Sequence, residues 1–350
     1  MPVPRSGPMA DTFELGKLSA LAGQLRDKPF LHEVFQAADA KAYEKLRYLA
    51  ATPFFQWMPF GVVDGKRYGH YGGKDACQAG ALMDSSNNKW LIAGNRGGKT
   101  VAGLMEDVAD CLNLDVITKQ PSERFQGSVN MWVVSATEET SVNVCERTLV
   151  EQVFGEDESG FLWNYVSDES KWSPRSGWAE HRLLFTNGSS IHFKFSTQKR
   201  NTFQGVRLHK CHHDEVQPRE IYGECMARLA DHHGKFLGTM TPVFDEKRGG
   251  IPWIYEELFL HQRAKGITFH RWSMLDNPHI PQDAKDRLMQ QWDDDEIEAR
   301  VHGMFVPMGV KLAFNAKLLR DMRSLCVKPR LKGELGIDEL GGVTCTTRAA

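Results

Sequence analysis

Residues 93–100, Ala-Gly-Asn-Arg-Gly-Gly-Lys-Thr, combine the residue types that hold a nucleotide phosphate. An apolar run precedes them and a helix-like run, 100–112, follows, so backbone N–H groups and a helix N-terminus are expected to converge on an anion. Lys99 would bridge the β- and γ-phosphates of ATP, and the Thr100 hydroxyl would ligate Mg²⁺. Alanine replaces the usual first glycine and adds only a methyl group. The predicted nucleotide-binding residues of this loop are Gly94, Asn95, Arg96, Gly97, Gly98, Lys99 and Thr100.

Hydrolysis of ATP also requires acids at the end of a second strand. Asp214-Glu215 closes a plausible strand, 205–215, ahead of a helix. Asp214 would hold Mg²⁺ and Glu215 would activate water, although a helix-capping acid pair is the alternative. The preceding residues, Leu-His-Lys-Cys-His-His, are more polar than expected for a buried strand. A metal site there is disfavoured because Cys211 is expected on the other face and no second ligand cluster follows at a fixed spacing.

Two further features fit a nucleotide site. Gln78 lies 16 residues before Gly94 in a glycine-rich approach to the first strand, where its amide could read the adenine edge. Thr239 and Thr241 end a strand that should neighbour the phosphate loop, and their hydroxyls could sense the γ-phosphate and relay its loss. Each feature is unremarkable alone and gains weight beside the other motifs.

Strand-like and helix-like segments alternate after residue 88, which predicts an α/β fold with a mostly parallel sheet covered by helices on both faces. Asn187-Gly188 lies between two β-rich runs and predicts a hairpin with a type I′ turn. The predicted strands are 89–94, 128–137, 205–215 and 235–242, and the predicted helices are 100–112, 140–154 and 219–232.

The chain divides into four predicted parts. Residues 1–75 form an N-terminal helical extension, 76–242 the ATPase core, 243–325 a small helical lid subdomain, and 326–350 a tail. In the lid, three amphipathic segments predict short helices, the last of which begins with acids and stops at Gly303.

Composition sets outer limits on function. The 350 residues contain 41% hydrophobic and 25% charged residues, as in ordinary globular proteins, and no apolar run is long enough to span a membrane. The seven cysteines are scattered and never form a Cys-x-x-Cys pair, which favours free thiols in a reducing cytosol.

The charge is unevenly distributed although the net charge is only -2. From Arg182 to His213 there is no acid, whereas Asp276 to Glu298 contains eight. This pattern indicates either two solvated faces or a surface that binds a polyanion. The candidate DNA contacts in the basic stretch are Lys194, Lys199 and Arg200.

The motifs in this order resemble the large terminase subunit of tailed bacteriophages, the ATPase that drives DNA into procapsids. The resemblance covers roughly residues 75–315 and is carried by the phosphate loop, the 187–195 hairpin and three later segments. These segments are TFQGVRLHKCHHDE at 202–215, IYGECMARLADHHGKFLGTMTP at 221–242, and DNPHIP…GMFVPMG at 276–309.

The resemblance implies a RecA/ASCE-like P-loop fold and roles for individual residues. Glu215 would be the catalytic glutamate, Gln78 the adenine-reading glutamine, and Thr239 and Thr241 part of the coupling motif. Arg96 matches an arginine that relatives carry inside the loop and that switches toward the phosphates. The trans-acting arginine is left open among Arg228, Arg200 and Arg147, in that order.

The resemblance also implies partners: double-stranded DNA, a portal on a procapsid, a small terminase subunit, and further copies of the chain in a ring. It places the protein in the host cell cytoplasm without a membrane. Large terminases continue with an RNase H-like nuclease, whereas here Asp338 alone stands where a first metal ligand of that domain could lie. One carboxylate cannot build a two-metal site, so DNA cleavage by this chain alone is not expected.

Two other functions share the phosphate loop. A helicase-like remodelling ATPase would need a second RecA-like domain, for which the remaining length is too short. A non-catalytic protein that binds nucleotide only to assemble is favoured by the histidine-rich approach to Asp214. ATP turnover with and without DNA distinguishes these from a motor.

Overall fold

The computed structural model describes residues 49, 51–64, 66–68, 77–155, 160–243, 253–306, 335–337 and 343–345. The predicted helix within 31–50, Asp338 and most of the predicted tail lie outside these residues, so those predictions stay untested.

The strands are numbered in chain order. They are β1 (Gly61–Val63), β2 (Lys66–Tyr68), β3 (Asn88–Ala93), β4 (Asn130–Ser135), β5 (Trp172–Ser173), β6 (Gly177–Trp178), β7 (Arg182–Leu184), β8 (Ser190–Phe195), β9 (Lys210–Asp214), β10 (Lys235–Met240), β11 (Ile267–Trp272), β12 (Leu335–Ile337) and β13 (Val343–Cys345).

The α-helices are numbered in the same way. They are α1 (Pro53–Gln56), α2 (Cys77–Met83), α3 (Lys99–Cys111), α4 (Glu138–Thr140), α5 (Arg219–Leu229), α6 (Gln262–Lys265), α7 (Gln282–Met289) and α8 (Asp294–Arg300). Helical structure continues beyond α4 as π-helical turns, Ser141–Glu146 and Leu149–Phe154, and a further π-helical turn, Ile254–Phe259, precedes α6. Short 3-10 helices span Phe161–Tyr165, Ala179–His181, Arg200–Phe203, Ala230–His232 and Met274–Asp276.

One sheet in the described residues contains seven strands in the order β11-β3-β10-β9-β4-β8-β7. All neighbours are parallel except the hairpin pair β7 and β8. Strand β10 lies between β3 and β9. The end of the predicted coupling strand therefore neighbours the phosphate loop, as the sequence predicted, and also the acid pair. The carboxyl ends of parallel strands meet at one edge of the sheet, which is the usual place for a ligand site.

Both faces of the sheet are buried, as a parallel sheet requires. In β3, Leu91 and Ala93 belong to the core on the α3 side, whereas Trp90 and Ile92 belong to the core on the α5 side. Alternate residues therefore pack against different helices, and the short strand needs an almost continuously apolar sequence. This confirms the predicted α/β fold, a mostly parallel sheet covered on both faces.

Strand β11 was not predicted, because residues 243–325 were interpreted as a small helical subdomain. It pairs with β3 from Ile267 to Trp272 and forms the edge of the central sheet. The helical prediction is wrong at these six residues. It agrees with the helical segments around 254–265, 282–289 and 294–300.

The hairpin between β7 and β8 forms where Asn187-Gly188 predicted it, but not with the predicted turn. A type I′ turn needs positive φ at both residues, and only Gly188 has it, at 85°. Phe185 N–H donates to Ser189 O and Gly188 N–H donates to Phe185 O. These bonds are those of a three-residue loop with its glycine in the left-handed region.

Within the described residues, no helix combines the length and the apolar composition that crossing a lipid bilayer requires.

Candidate nucleotide site

The phosphate loop connects β3 to the first turn of α3, as predicted. Two of its glycines are required by neighbouring groups. A Cβ at Gly94 would overlap the Val301 carbonyl oxygen. Gly98 has a φ of 75°, and a Cβ there would lie 2.5 Å from Gln78 Nε2. Packing against the 300–301 backbone and Gln78 thus adds a second reason for glycine besides phosphate access.

Three successive carbonyls of the loop accept hydrogen bonds from side chains outside it. Asn277 Nδ2 donates to the Arg96 carbonyl at 2.6 Å, and Trp272 Nε1 donates to the Gly97 carbonyl at 2.7 Å. Gln78 Nε2 donates to the Gly98 carbonyl at 2.9 Å. An anion-binding loop must keep its carbonyl oxygens away from the anion. These three side chains fix the peptide planes, and the sequence did not identify Trp272 or Asn277 for this role.

Gln78 lies on α2, not in the glycine-rich connection that the sequence suggested. Its side chain is buried, and Phe60 N–H approaches its Oε1 at 3.4 Å while Nε2 binds the loop. Both ends of the amide therefore contact backbone in this structure. Adenine reading by Gln78 stays a prediction and requires these two hydrogen bonds to be released.

Arg96 is the exposed residue of the loop and has a φ of 57°. A non-glycine residue in the left-handed region is strained by roughly 1–2 kcal/mol. Its side chain forms no ion pair with any residue that the structure describes. Arg96 is therefore an exposed residue of the loop, and its predicted switching role stays a prediction.

Lys99 and Glu215 meet across the site although they lie far apart in the sequence. Lys99 Nζ lies 2.9 Å from Glu215 Oε1, with the side chains 10% and 32% exposed. Thr241 N–H donates to Glu215 Oε2 at 3.0 Å. Glu215 itself has a φ of 63°, a strained conformation that recurs at functional sites.

Asp214 and Thr100 are adjacent, as a shared Mg²⁺ role predicts. The Thr100 hydroxyl donates to Asp214 Oδ1 at 2.9 Å, and so does the Thr239 hydroxyl, also at 2.9 Å. The Cys145 thiol donates to the other oxygen, Oδ2, at 3.3 Å. Thr239 thus touches Asp214, while Thr241 contacts Glu215 through its backbone.

A buried polar network lies beneath Asp214, between β9 and α3. His212 Nδ1 lies 2.6 Å from Asp107 Oδ2, and His212 Nε2 lies 3.1 Å from Thr239 Oγ1. Lys210 Nζ lies 2.8 Å from Asp107 Oδ1 and 2.6 Å from Asp110 Oδ2. The chain Asp107–His212–Thr239–Asp214 therefore connects the interior to the predicted metal ligand.

The charges in this network stabilise one another. Burial alone would lower the pKa of Lys210, but Asp107, Asp110 and Glu106 outweigh it and raise the pKa above its usual value. Burial alone would raise the pKa of Asp107, but Lys210 and His212 hold it below its usual value. The polar residues before Asp214 that looked unsuited to a buried strand are thus paired on this face.

The candidate DNA contacts differ in availability. Lys199 is exposed and forms no ion pair within the described residues. Arg200 is exposed but binds Glu224 through Nε at 2.8 Å. Lys194 is half-buried, lies 5.3 Å from the Trp132 ring centroid, and donates to the Thr202 carbonyl. Burial lowers the pKa of Lys194. Lys199 is therefore the best placed of the three.

Arg228, the first candidate for the trans-acting arginine, is half-buried in the last turn of α5. Its carbonyl accepts from Leu208 N–H just before β9 begins, so it lies at the edge of the sheet opposite the phosphate loop. Arg147 donates to the Pro174 carbonyl and lies 4.0 Å from Glu151. The assignment of the trans-acting arginine stays a prediction.

Comparison with known proteins gives one sequence relative and several structural ones. No protein-family model matches the chain. The chain is 26% identical to the large terminase subunit of Salmonella phage P22, in an alignment covering 61% of this chain and 46% of that protein. It thus spans about half the length of the curated relative that it matches.

Two solved structures are similar over a comparable part of the chain. The large terminase of a thermophilic bacteriophage, solved in complex with ADP, has a TM-score of 0.48 and 14% identity, covering 65% of this chain and 52% of that one. The large terminase ATPase domain of Thermus phage P74-26 has a TM-score of 0.48 and 15% identity, covering 66% and 93% respectively.

The phosphate loop, the acid pair and the threonine at the end of β10 meet at one edge of the sheet. Over the aligned part of its length, the chain that carries this site is thus similar in sequence to the large terminase subunit of phage P22.

Proposed function

We propose that this chain is the ATP-hydrolysing motor portion of a terminase that moves double-stranded viral DNA into a procapsid. The observation that carries the proposal is the convergence of four groups at one sheet edge. Lys99 Nζ contacts Glu215 at 2.9 Å, and the Thr100 hydroxyl contacts Asp214 at 2.9 Å. This convergence supplies a phosphate-binding cation, a pair of oxygen ligands and a base in one place.

ATP would bind with its phosphates on the loop 93–100. The loop carbonyls are held by Gln78, Trp272 and Asn277, so its N–H groups and the N-terminus of α3 are left to face the anion. On binding, Lys99 would exchange Glu215 for phosphate oxygens. This exchange would free the Glu215 carboxylate when ATP is bound, which is when hydrolysis requires it.

The Thr100 hydroxyl and the Asp214 carboxylate fit Mg²⁺, because both are oxygen donors and they lie within hydrogen-bond distance. When bound there, Mg²⁺ neutralises the charge that develops on the phosphate oxygens. The chain's own part is to fix the carboxylate, which it does through Thr239 and Cys145 on both oxygens.

Glu215 would orient the attacking water after release from Lys99. Its other oxygen remains bound to the Thr241 N–H, two residues beyond the end of the β10 pairing with β9 at Thr239. A change at the phosphate would thus shift the backbone that leads to residues 243 and beyond. This contact is our candidate for coupling hydrolysis to movement.

The motor would grip DNA through phosphates, since movement along DNA must be indifferent to sequence. Lys199, exposed and without an ion pair in the described residues, is the primary candidate contact. Arg200 would have to leave Glu224 to reach a phosphate. The portal, the small terminase subunit and a ring of copies in the host cytoplasm complete the proposed assembly.

The non-catalytic alternative drew support from the histidines before Asp214. His212 is accounted for by its contacts with Asp107 and Thr239. A polar approach to the acid is therefore compatible with a catalytic site, and His212 does not favour the alternative.

ATP turnover with and without DNA tests the proposal. We expect Lys99→Ala and Glu215→Gln to lower DNA-stimulated turnover by roughly 10²–10³-fold, because each removes a group that acts on the reacting phosphate. Lys265→Ala, which removes an exposed lysine distant in sequence from the loop, is the control and should leave turnover unchanged. Full DNA-stimulated turnover in Lys99→Ala would reject the site.

DNA binding is tested separately by the salt dependence of affinity. Lys199→Ala should weaken binding for all sequences and reduce the salt slope by about 1, the effect of one lost phosphate contact. Lys265→Ala again serves as the control. An unchanged slope in Lys199→Ala would place the DNA contact elsewhere while leaving the ATPase assignment intact.

A further inference from the structure

Two cysteines and a histidine meet on the α5 side of β9, away from the nucleotide site. Cys211 and His213 are two residues apart on the strand and share this face, whereas the sequence had suggested opposite faces. Cys225 approaches from α5. The possible ligand atoms of the three residues all lie within 4.8 Å of one another, and the residues are fully buried.

The surroundings of this trio contain few polar groups. His213 packs against the Phe236 and Tyr222 rings, at 4.9 and 6.2 Å between centroids. Neither of its ring nitrogens makes a hydrogen bond of ordinary length and angle in the described structure, although the ring interacts with the Cys225 sulfur. An unsatisfied buried polar group costs roughly 1–3 kcal/mol, so an imidazole with two such atoms in an apolar core requires a compensating interaction.

The two sulfurs interact with each other and with the imidazole. Hydrogen bonding from Cys211, against the opposing effect of burial and with help from His213, lowers the pKa of Cys225 to about 6. Burial raises the pKa of Cys211 well above its usual value. A soft metal ion would bind both sulfurs as thiolates.

We propose that Cys211, His213 and Cys225 bind a single thiolate-preferring d¹⁰ cation, Zn²⁺ or Cu⁺. Two thiolates and one neutral imidazole are ligands that select these ions over Mg²⁺. Binding of Zn²⁺ displaces the two thiol protons to solvent, and the ion and the two thiolates then sum to zero charge, which suits an apolar core. No electron transfer is involved.

The consequence for the fold is a link between β9 and α5. His213 directly precedes Asp214, and Cys225 lies in the helix that covers this face of the sheet. The cation would therefore link α5 to the strand that carries the predicted Mg²⁺ ligand, on the face of β9 away from α3. Its role is structural, and ATP hydrolysis does not require a step at this ion.

Metal content of the purified chain tests the proposal. The chain is produced in medium supplemented with Zn²⁺ in one arm and with copper in the other, purified under reducing conditions without chelator, and assayed by elemental analysis. We expect about one ion per chain in one arm, falling to about a tenth in Cys225→Ala and in His213→Phe. Cys111→Ala is the matched control because Cys111 is equally buried in α3, and it should retain the ion.

A second measurement covers the case in which the variants do not fold. The wild-type chain is loaded with Co²⁺ alone, and a thiolate-to-cobalt charge-transfer absorption is expected. Failure of wild-type protein to bind metal in both arms, equal content in Cys225→Ala and Cys111→Ala, or absence of the Co²⁺ band would each overturn the proposal. So would a Cys211–Cys225 disulfide found in peptides of the wild-type chain.

Discussion

The two faces of β9 bury polar residues in opposite ways. On the α3 face, Lys210 and His212 are matched by carboxylates, and the contacts continue to Asp214. On the α5 face, Cys211 and His213 meet Cys225, and His213 packs against the Phe236 ring. Strand alternation assigns neighbouring residues to different helices, so one five-residue strand carries both arrangements.

The two faces of β9 are therefore suited to different roles. Charges that are mutually paired hold one geometry, because moving any partner leaves another charge buried alone. The α3 face is thus suited to fixing the position of Asp214. On the α5 face, the His213 ring nitrogens lack hydrogen bonds of ordinary geometry in the described structure, and an additional ligand would satisfy them. Substitutions on the two faces should therefore have different signatures.

Removing the cation from the α3 face of β9 should produce the largest loss of stability. Lys210→Met leaves Asp107, Asp110 and Glu106 buried without their shared cation, and we expect a loss of about 3–5 kcal/mol in the free energy of unfolding. Urea unfolding monitored by tryptophan fluorescence measures it. Cys211→Ala is the comparison on the other face and should cost about 1 kcal/mol in the absence of metal. Similar losses in both variants would mean that the carboxylates do not depend on Lys210.

A second buried lysine shows how the carboxylates affect the pKa of Lys210. Lys119 is buried with its ammonium 4.0 Å from the Phe54 ring centroid and donates to the Val116 carbonyl. Burial lowers the pKa of Lys119 to about 7 despite the opposing effect of Asp115. Lys210, with three carboxylates nearby, has its pKa raised instead.

This contrast gives a pH-dependent prediction for Lys119. The unfolded chain binds a proton at this side chain up to its usual pKa of 10.5, whereas the folded chain loses it near 7. Stability linked to this group is therefore fully present above pH 10.5 and lost as pH falls toward 7. Lys119→Met should be more stable than wild type at pH 6, by about 2–4 kcal/mol more than at pH 10. A pH-independent difference in thermal or urea unfolding would show that Lys119 is charged throughout.

Much of the site could be predicted because its signals are local. The glycine-rich loop is flanked by an apolar strand and a helix, and Asp214-Glu215 closes a second strand, so parallel strand ends were expected to bring them together. Thr239 was placed next to the loop by the same argument. The contacts of Lys99 and Thr100 with these acids agree with that expectation.

The elements that support the site were missed because their signals are not local. The residues Ile-Thr-Phe-His-Arg-Trp of β11 form a strand by pairing with β3, and their half-buried edge position gives little periodicity. Trp272 and Asn277 act through single hydrogen bonds to loop carbonyls, which no spacing in the sequence reveals. Only the fold brings them within reach.

The polar network had a signal that could have been used. Glu106, Asp107 and Asp110 lie in a helix that is otherwise apolar, while Lys210 and His212 alternate on an otherwise buried strand. Opposite charges at matching positions in two buried elements indicate pairing across them. Considering each element alone left the polar residues before Asp214 unexplained.

The last prediction compares the two histidines directly. His212→Asn removes the contact between Asp107 and Thr239, and Thr239 is one of the groups that fix Asp214. Loss of a group that supports a metal ligand costs about 10–100-fold in metal affinity or activity, so the Mg²⁺ concentration for half-maximal ATP turnover should rise about tenfold. His213→Asn, at the next position but on the other face, should leave this Mg²⁺ dependence unchanged. Titrations of turnover against Mg²⁺ for both variants, each checked for folding by circular dichroism, make the comparison. If both shift alike, the effect belongs to the strand as a whole; a shift in His212→Asn alone assigns it to the face that leads to Asp214.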